Sequence, residues 1–275
     1  MTSKNSIQGV LTVGIMAIGN EVLDGIVLDT NSNWMETKLV ALGAQIRRLV
    51  SVRDEMEEIG NALRFLRESC NVIITSGGLG PTHDDMTLAA ITKALGRKIV
   101  ENRDAANIIK RQYKTLYEKG IVAAPDFTEY RRKMAQFPDG SSPLDNRVGG
   151  APGVMIHDEN VTIFCLPGVP AELKFIFEDS VIPWIEENVV QKFHEQIVEF
   201  EMKDESVFAP AIDFVMKKIP NVYIKSLPKP YGTSKGIRVW ISARGDNASE
   251  LEMLIEETIS SLEKATGITS KPVEK

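Results

Sequence analysis

The sequence predicts an α/β protein: a mostly parallel sheet with helices between its strands, followed by a second, smaller α+β domain. Three observations predict it. Apolar runs alternate with segments of helical period through the first half, a glycine-rich segment joins one such strand to a helix, and a second, shorter pattern of strands and helices begins near residue 195.

The runs Leu11–Ile18, Gln45–Val52 and Asn71–Thr75 each precede a helical pattern, which is a βαβα rhythm. Thr30-Asn31 stand ahead of Trp34, Leu39 and Leu42 as capping side chains, and Gly43 supplies the stop. Asp54 stands in the same place before Ile59, Leu63 and Leu66. A third helix follows Asp85 to Leu95, and a charged one covers Arg103 to Glu118. Pro138 to Gly153 carries four glycines and three prolines, so it reads as a long loop, and long loops in compact α/β domains are often functional. Val161–Leu166 is the next strand, closed by Pro167-Gly168-Val169-Pro170; Ala171–Asn188 is helical with Pro183 as an interruption.

The core pattern fades around Gln191 to Gln196, which places a first domain at 8–190 and a second at 195–268. The second reads as strand Gln196–Met202, helix Ser206–Ile219, strands Val222–Ser226 and Gly236–Ala243, and helix Ala248–Ala265, with a frayed tail. Phe214, Val215, Leu251, Leu254 and Ile255 are its expected core.

Composition excludes several classes. The 275 residues are 43% hydrophobic and 25% charged, and 32 basic against 38 acidic side chains give a net charge of -6, an ordinary globular balance. No uncharged apolar stretch approaches the roughly 18 residues of a membrane span, and Val10–Ile18 lacks the flanks of a signal peptide. Cys70 and Cys165 lie in apolar runs and read as buried strand residues in a reducing compartment, so the cytoplasm is the expected address. A pI of 5.3 gives no electrostatic footprint for nucleic acid, because phosphate contacts need clustered Lys and Arg.

The strongest segment is Thr75-Ser76-Gly77-Gly78-Leu79-Gly80-Pro81-Thr82-His83-Asp84-Asp85-Met86-Thr87, at the carboxyl end of a strand and opening into a helix. Its glycines let backbone approach a ligand, and a helix start favours phosphate. Two adjacent carboxylates conflict with an anion site unless a divalent metal lies between them and the phosphate oxygens. The competing reading makes the glycines a tight turn and Asp84 or Asp85 the cap of the helix at Met86. Glu21, in Gly19-Asn20-Glu21-Val22-Leu23-Asp24-Gly25, and Asp54 face the same choice between loop or cap residue and site acid, and the competing reading makes Asp29 and Asn31 turn and cap residues. Three successive strands each deliver an acid to one rim, which scattered capping explains poorly.

The segments Gly19–Asn31, Val52–Asp54, Thr75–Thr87, Asn146–Gly153 and Leu166–Glu172 resemble the motif set of the molybdopterin-binding superfamily. Within it the chain resembles the CinA (competence-damage-inducible) family and the amino-terminal half of eukaryotic FAD synthase. Gly-Gly-Leu-Gly-Pro-Thr-His-Asp-Asp separates this branch from the Gly-Gly-Thr-Gly enzymes that adenylylate molybdopterin. The tail is similar to the small KH-like domain of CinA proteins, and the amidase domain of full-length members has no counterpart in these residues, so no amidase activity is expected.

The resemblance implies a three-layer αβα domain, a homo-oligomer, and metal-dependent hydrolysis of the diphosphate of ADP-ribose, FAD or a related dinucleotide, with a divalent ion (cobalt, nickel or magnesium) and potassium. Asp85 matches the acid that is essential in the molybdopterin enzymes and Asp54 the acid after their second strand; with Glu21 they are the catalytic candidates. Asp84, Asp85 and Asp54 are the metal candidates. Gly77, Gly78 and Gly80, with Leu79, Thr82 and His83, form the expected ligand cradle; Asn31, Asn146 and Gly153 are further contacts, and Pro167, Gly168 and Pro170 close the other side. Two positions depart from the pattern: Glu55 replaces a second Asp, and Gly150 replaces the Thr of a Gly-Thr-Ala-Pro-Gly loop. The rival reading is a pterin- or nucleotide-binding module without turnover. KH domains clamp phosphates with Gly-x-x-Gly; Gly232 and Gly236 are one residue too far apart, so the tail is expected to be structural or to mediate oligomerisation.

Overall fold

The computed structural model describes residues 10–202, 204–227 and 236–273. They fall into two compact units, one made of the residues up to Val40 together with Ala44–Val189, the other of Ala41–Gly43 and the residues from Val190 on. Gly232 lies outside the described residues.

The larger unit runs β1 (Thr12–Ile18), α1 (Asn20–Leu23), α2 (Thr30–Ala41), β2 (Gln45–Val52), α3 (Met56–Arg67), β3 (Val72–Ser76) and α4 (Thr87–Ala94). It continues with β4 (Ile99–Glu101), α5 (Arg103–Glu118), α6 (Glu129–Lys133), β5 (Gln136–Pro138), β6 (Ser142–Leu144), β7 (Gly153–Asp158), β8 (Val161–Leu166), α7 (Pro170–Ile176) and α8 (Ile182–Asn188). The central sheet has the order β2-β1-β3-β8-β7-β6. Its first four strands are parallel; β7 and β6 add an antiparallel edge, and β4 pairs with β5 in a separate ribbon.

Both faces of the sheet are covered, which is why its central strands are apolar without alternation. Met16, Ile18, Ile73, Ile163 and Cys165 pack with Leu63 and Leu66 of α3, Ile91 of α4 and Ile109 of α5. The opposite residues, Val13, Ile15, Ile74 and Phe164, are buried as well. There Phe164 meets Trp184 of α8 edge to face at 5.3 Å, and Trp34 of α2 meets Phe177 at 5.2 Å. Each such large apolar side chain contributes about 1.5–3 kcal/mol on burial. The expected three layers are therefore present.

Several local expectations change. Asp29, not Thr30 or Asn31, takes the capping role at α2: its Oδ1 accepts the Ser32 amide at 2.9 Å. Asp54 does not cap α3, whose N-cap is Glu55 without a side-chain bond. Residues 138–153 are not loop throughout, because β6 lies within them and β7 begins at Gly153. The helix over 171–188 is interrupted ahead of Pro183 and not at it: Phe177–Val181 form a π turn. Pro183 has no N–H to return to the carbonyl of Asp179, and the helix widens just before it. Cys70 is buried but precedes β3; Cys165 lies within β8, and its burial pushes the thiol pKa up to about 12.

The smaller unit contains β9 (Lys192–Phe200), α9 (Glu205–Lys218), β10 (Val222–Leu227), β11 (Ile237–Gly245), α10 (Ala248–Thr266) and β12 (Ser270–Pro272). Its antiparallel sheet has the order β10-β11-β9-β12, so the tail expected to fray contributes a strand on β9. The first strand starts and ends earlier than Gln196–Met202. Val215, Leu251 and Ile255 enter the core with Val198, Phe200, Val239 and Ile241, and Leu254 packs against it. Phe214 does not; it is 61% exposed, and Phe208 and Ala211 share the buried face of α9 with Val215. Among the described residues no helix is long and apolar enough to cross a membrane.

Candidate functional site

From β1 the chain crosses to β2 on one side and then to β3 on the other, so the crevice beyond the carboxyl ends of β1 and β3 is a topological switch point, where open α/β sheets bind ligands. The rim is stitched by backbone. Gly19 N donates to Val52 O at 3.1 Å, and Gly77 N donates to Leu166 O at 3.0 Å. Asn20 N donates to Asp54 Oδ2 at 3.0 Å, so Asp54 fastens the turn after β1 instead of starting a helix.

The glycine loop is shaped by close approach. At Gly77, with φ +112°, a Cβ would stand 2.1 Å from the carbonyl oxygen of Ile18, which as backbone has no room to yield. At Gly78, with φ +68°, it would stand 2.2 Å from Thr87 Oγ1. That hydroxyl donates to Gly77 O at 2.9 Å while Thr87 N donates to Gly78 O at 3.2 Å, so Thr87 ties the loop onto the start of α4. The Pro-Gly loop approaches from the far side: a Cβ on Gly168 would be 3.4 Å from Gly77 Cα. Pro167 is buried, while Pro170 opens α7. Asn31 links the parts, its Nδ2 donating to Ser76 Oγ at 3.1 Å and to Gly168 O at 2.8 Å. Asn31 is buried, yet its Oδ1 accepts nothing among the described residues.

Asp85 is not a helix cap, since Met86 holds that position without a side-chain bond. Its Oδ2 accepts the Thr82 amide at 2.8 Å and the Thr82 hydroxyl at 2.6 Å, bending the chain back over Gly80. Asp84 Oδ1 shares that one hydroxyl proton with Asp85, and this contact with the Asp84 backbone amide holds the Asp84 carboxyl below the usual range. Lys133 Nζ reaches the carbonyl of Thr82. The His83 side chain is 98% exposed, with Asp84 Oδ1 at 3.9 Å from its Nδ1. The Glu21 carboxylate folds back over Gly19, within 2.6 Å of where a Cβ would lie. Asp54 is raised above the ordinary carboxylate range by partial burial and by the charges of Glu21, Asp84 and Asp85, against the lowering effect of the Asn20 amide. The structure thus brings the predicted acids to one rim.

One carboxylate oxygen of each of Asp54, Asp84 and Asp85 accepts a hydrogen bond from the protein. Among the described residues no three His, Cys, Asp or Glu side chains form a ready metal-ligand group. The donor chemistry suits a hard cation of the magnesium kind, which takes one or two carboxylates and completes its sphere with phosphate oxygens and water.

The opposite wall is organised by Asn146. Its Nδ2 donates to Ala151 O at 2.7 Å and Glu172 Oε2 at 2.6 Å, and its Oδ1 accepts the Val148 and Gly149 amides, each at 2.9 Å. The amide is fully used within the loop, so Asn146 shapes the wall from inside. Burial raises Glu172, although Asn146 and the Ala151 backbone partly offset it. Gly150 has a physical reason: the Tyr113 ring lies 2.9 Å from its absent Cβ, with the Arg131 guanidinium 3.7 Å from the ring centre. Gly153 is buried in β7, with Ile176 Cγ2 at 3.0 Å from its Cβ position. Sequence reasoning gave no role to Ser76, Thr87, Glu172 or Lys133; the first three stand inside the quoted motifs, and Lys133 carried no signal.

Residues 14–187 match the family model described as "Probable molybdopterin binding domain". Protein PH0439 of Pyrococcus horikoshii is 39% identical over 227 residues, 82% of this chain and 88% of the relative. Protein TK1472 of Thermococcus kodakarensis is 38% identical over 241 residues, 87% and 94% respectively. The crystal structure of the protein CinA with unknown function from Thermoplasma acidophilum is 34% identical, with a TM-score of 0.58, over 64% of this chain and 98% of that one. On the match over residues 14–187 and these relatives, the chain belongs to the molybdopterin-binding-domain family, in its CinA-like branch.

Proposed function

We propose that the rim beyond β1, β2 and β3 hydrolyses the diphosphate of ADP-ribose, FAD or a related dinucleotide with the help of a divalent ion. The observation that carries this reading is that the turns after β1, β2 and β3 bring Glu21, Asp54, Asp84 and Asp85 to one rim, where the charges of the other three raise the Asp54 carboxyl, beside a glycine loop packed too closely to admit a Cβ at Gly77 or Gly78. Like charges held together without a cation cost free energy, and a site that keeps them has a use for a counter-ion. A divalent ion held by Asp85 with Asp54 or Asp84 would supply charge neutralisation and water activation.

The chain's own groups do the rest. With the Gly77 and Thr87 amides already paired inside the protein, the amides of Gly78, Leu79 and Gly80 and those following Thr87 in the first turn of α4 receive phosphate oxygens. Glu21 orients the attacking water or a ribose hydroxyl. The orphaned Asn31 Oδ1 accepts an O–H or N–H of the ligand, which removes the cost of a buried unpaired acceptor. Gly168 closes the far side. Hydrolysis of ADP-ribose would then yield AMP and ribose 5-phosphate, and that of FAD would yield AMP and FMN.

The second reading, binding of a molybdopterin or nucleotide without turnover, draws on the family's description and on the lack of a ready ligand trio among the described residues. A screen of ADP-ribose, FAD and other nucleotide diphosphates against cobalt, nickel and magnesium, with and without potassium, separates the two. Metal-dependent AMP release supports turnover, and tight binding without product supports the module.

A further inference from the structure

A groove of about 420 Å³ opens between α3 and α4 of the larger unit. Gly60 and Ala94 form its floor; Glu57, Asn61 and Arg64 of α3 and Lys93 of α4 form its rim. Its size falls within the roughly 300–1,000 Å³ of small-molecule sites. It shares no lining residue with the acid rim or the glycine loop, and none of these residues stands in the motif segments quoted above.

The four rim side chains are exposed. Among the described residues Glu57, Arg64 and Lys93 form no ion pair, with one another or with any other charged group. Glu57 and Arg64 stand two turns apart on α3, about 10 Å along the axis, beyond the contact that i,i+3 and i,i+4 partners make. The Arg64 guanidinium lies over the floor instead: its Nη2 donates to Asn61 Oδ1 at 2.5 Å, and its Nη1 is 3.8 Å from where a Cβ on Gly60 would stand. Two cations from facing helices thus border one opening, and no carboxylate of the described residues pairs with either. Gly60 keeps the opening deep. It is buried in mid-helix, where glycine is weaker than alanine. The nearest atom to a Cβ there, Ala94 Cβ, is at 3.7 Å, an ordinary contact, so packing within the chain does not call for glycine, whereas a longer side chain would occupy the groove.

We propose that the groove between α3 and α4 binds a small phosphate monoester of a polyol. A guanidinium offers a planar fork to two oxygens of one anion and an ammonium adds a point charge, a pair suited to a doubly charged phosphate. Glu57 repels a second anionic group and accepts hydroxyl protons, which selects an uncharged, hydroxylated remainder. The site does not depend on the reaction proposed for the acid rim.

The test titrates the full chain, with a chelator present, with ribose 5-phosphate, inorganic phosphate and ribose by calorimetry. Ribose 5-phosphate should bind at about 1 mM or tighter and at least about fivefold tighter than inorganic phosphate, with no heat from ribose. Arg64→Gln and Lys93→Gln, both at exposed positions that leave the fold intact, should each weaken it at least about fivefold, and added salt should weaken it in wild type. A wild-type chain that binds no ribose 5-phosphate overturns the site. Binding that both variants retain overturns it as well, because the ligand then lies elsewhere. Inorganic phosphate held as tightly as the ester overturns the assignment to a monoester. Light scattering covers the other occupant: a wild-type oligomer that Arg64→Gln or Lys93→Gln dissociates would put a second copy in the groove and overturn the ligand.

Discussion

Gly78→Ala measures how tightly the glycine loop is built. The added Cβ would stand 2.2 Å from Thr87 Oγ1, on a backbone at φ +68°. The left-handed backbone costs a residue other than glycine about 1–2 kcal/mol. Thr87 must also swing away, breaking its bond to the buried Gly77 carbonyl, and an unpaired buried acceptor costs about 1–3 kcal/mol. The sum is about 2–5 kcal/mol; at about 3 kcal/mol, a unit of this size should melt roughly 6–12 °C lower. Differential scanning calorimetry with urea midpoints measures it. Two companions sharpen the result. Gly168→Ala places its Cβ at an ordinary 3.4 Å from Gly77 Cα and should cost under about 1 kcal/mol. Gly78→Ala with Thr87→Ala removes the obstructing hydroxyl, so the pair should be less destabilised than the sum of the singles. A Gly78→Ala variant that melts within about 2 °C of wild type refutes the reasoning.

Asp54→Asn removes a carboxylate whose pKa is raised by burial and by Glu21, Asp84 and Asp85. A raised folded-state pKa means that its protonated form favours folding below the unfolded value and that this contribution is lost as pH rises through the folded pKa. The variant should therefore be the more stable at neutral pH, with the gap closing as the pH falls toward 3.8, the unperturbed value, in paired urea melts. Asn146→Ala removes four hydrogen bonds of the loop wall and should cost about 2–4 kcal/mol, with faster amide exchange at Val148 and Gly149. In the smaller unit, Val215→Ala should cost about 1–3 kcal/mol and Phe214→Ser under about 0.5, which equilibrium unfolding of the two variants distinguishes.

Of the strands that carry the site, β1, β3 and β8 were legible because burial on both faces leaves continuous apolar runs, and β2, an edge strand, because partly buried and exposed residues alternate along it; β2 and β8 begin and end where the sequence places them, and β1 and β3 differ by one residue. β7 was hidden, since Gly153 and the preceding Ala151-Pro152 read as loop and its hairpin turns on Glu159, a residue other than glycine at φ +53°. Strand order was not legible at all, because it depends on contacts distant in sequence. Of the site, the acids and glycines could be read from their places after strands. The tasks of Asp54, Asp85 and Asn146 could not: a carboxylate or amide before a helix looks the same whether it caps that helix or fastens a neighbouring turn. Phe214 failed by one position. Val215 shows that the helical period was right, but Phe208, Ala211 and Val215 fix a face that leaves its neighbour outside.

The acid rim as a site of metal-assisted phosphate chemistry is tested most directly by ADP-ribose turnover in wild type and Asp85→Asn, titrated with one divalent ion after chelation. Asparagine keeps an acceptor for the Thr82 amide and hydroxyl, so the fold should survive, as a melting curve will show. The predicted result is AMP release that needs the metal in wild type and falls by about a hundredfold or more in the variant at every metal concentration. Turnover by Asp85→Asn equal to wild type, or AMP release undiminished by the chelator, would contradict the account.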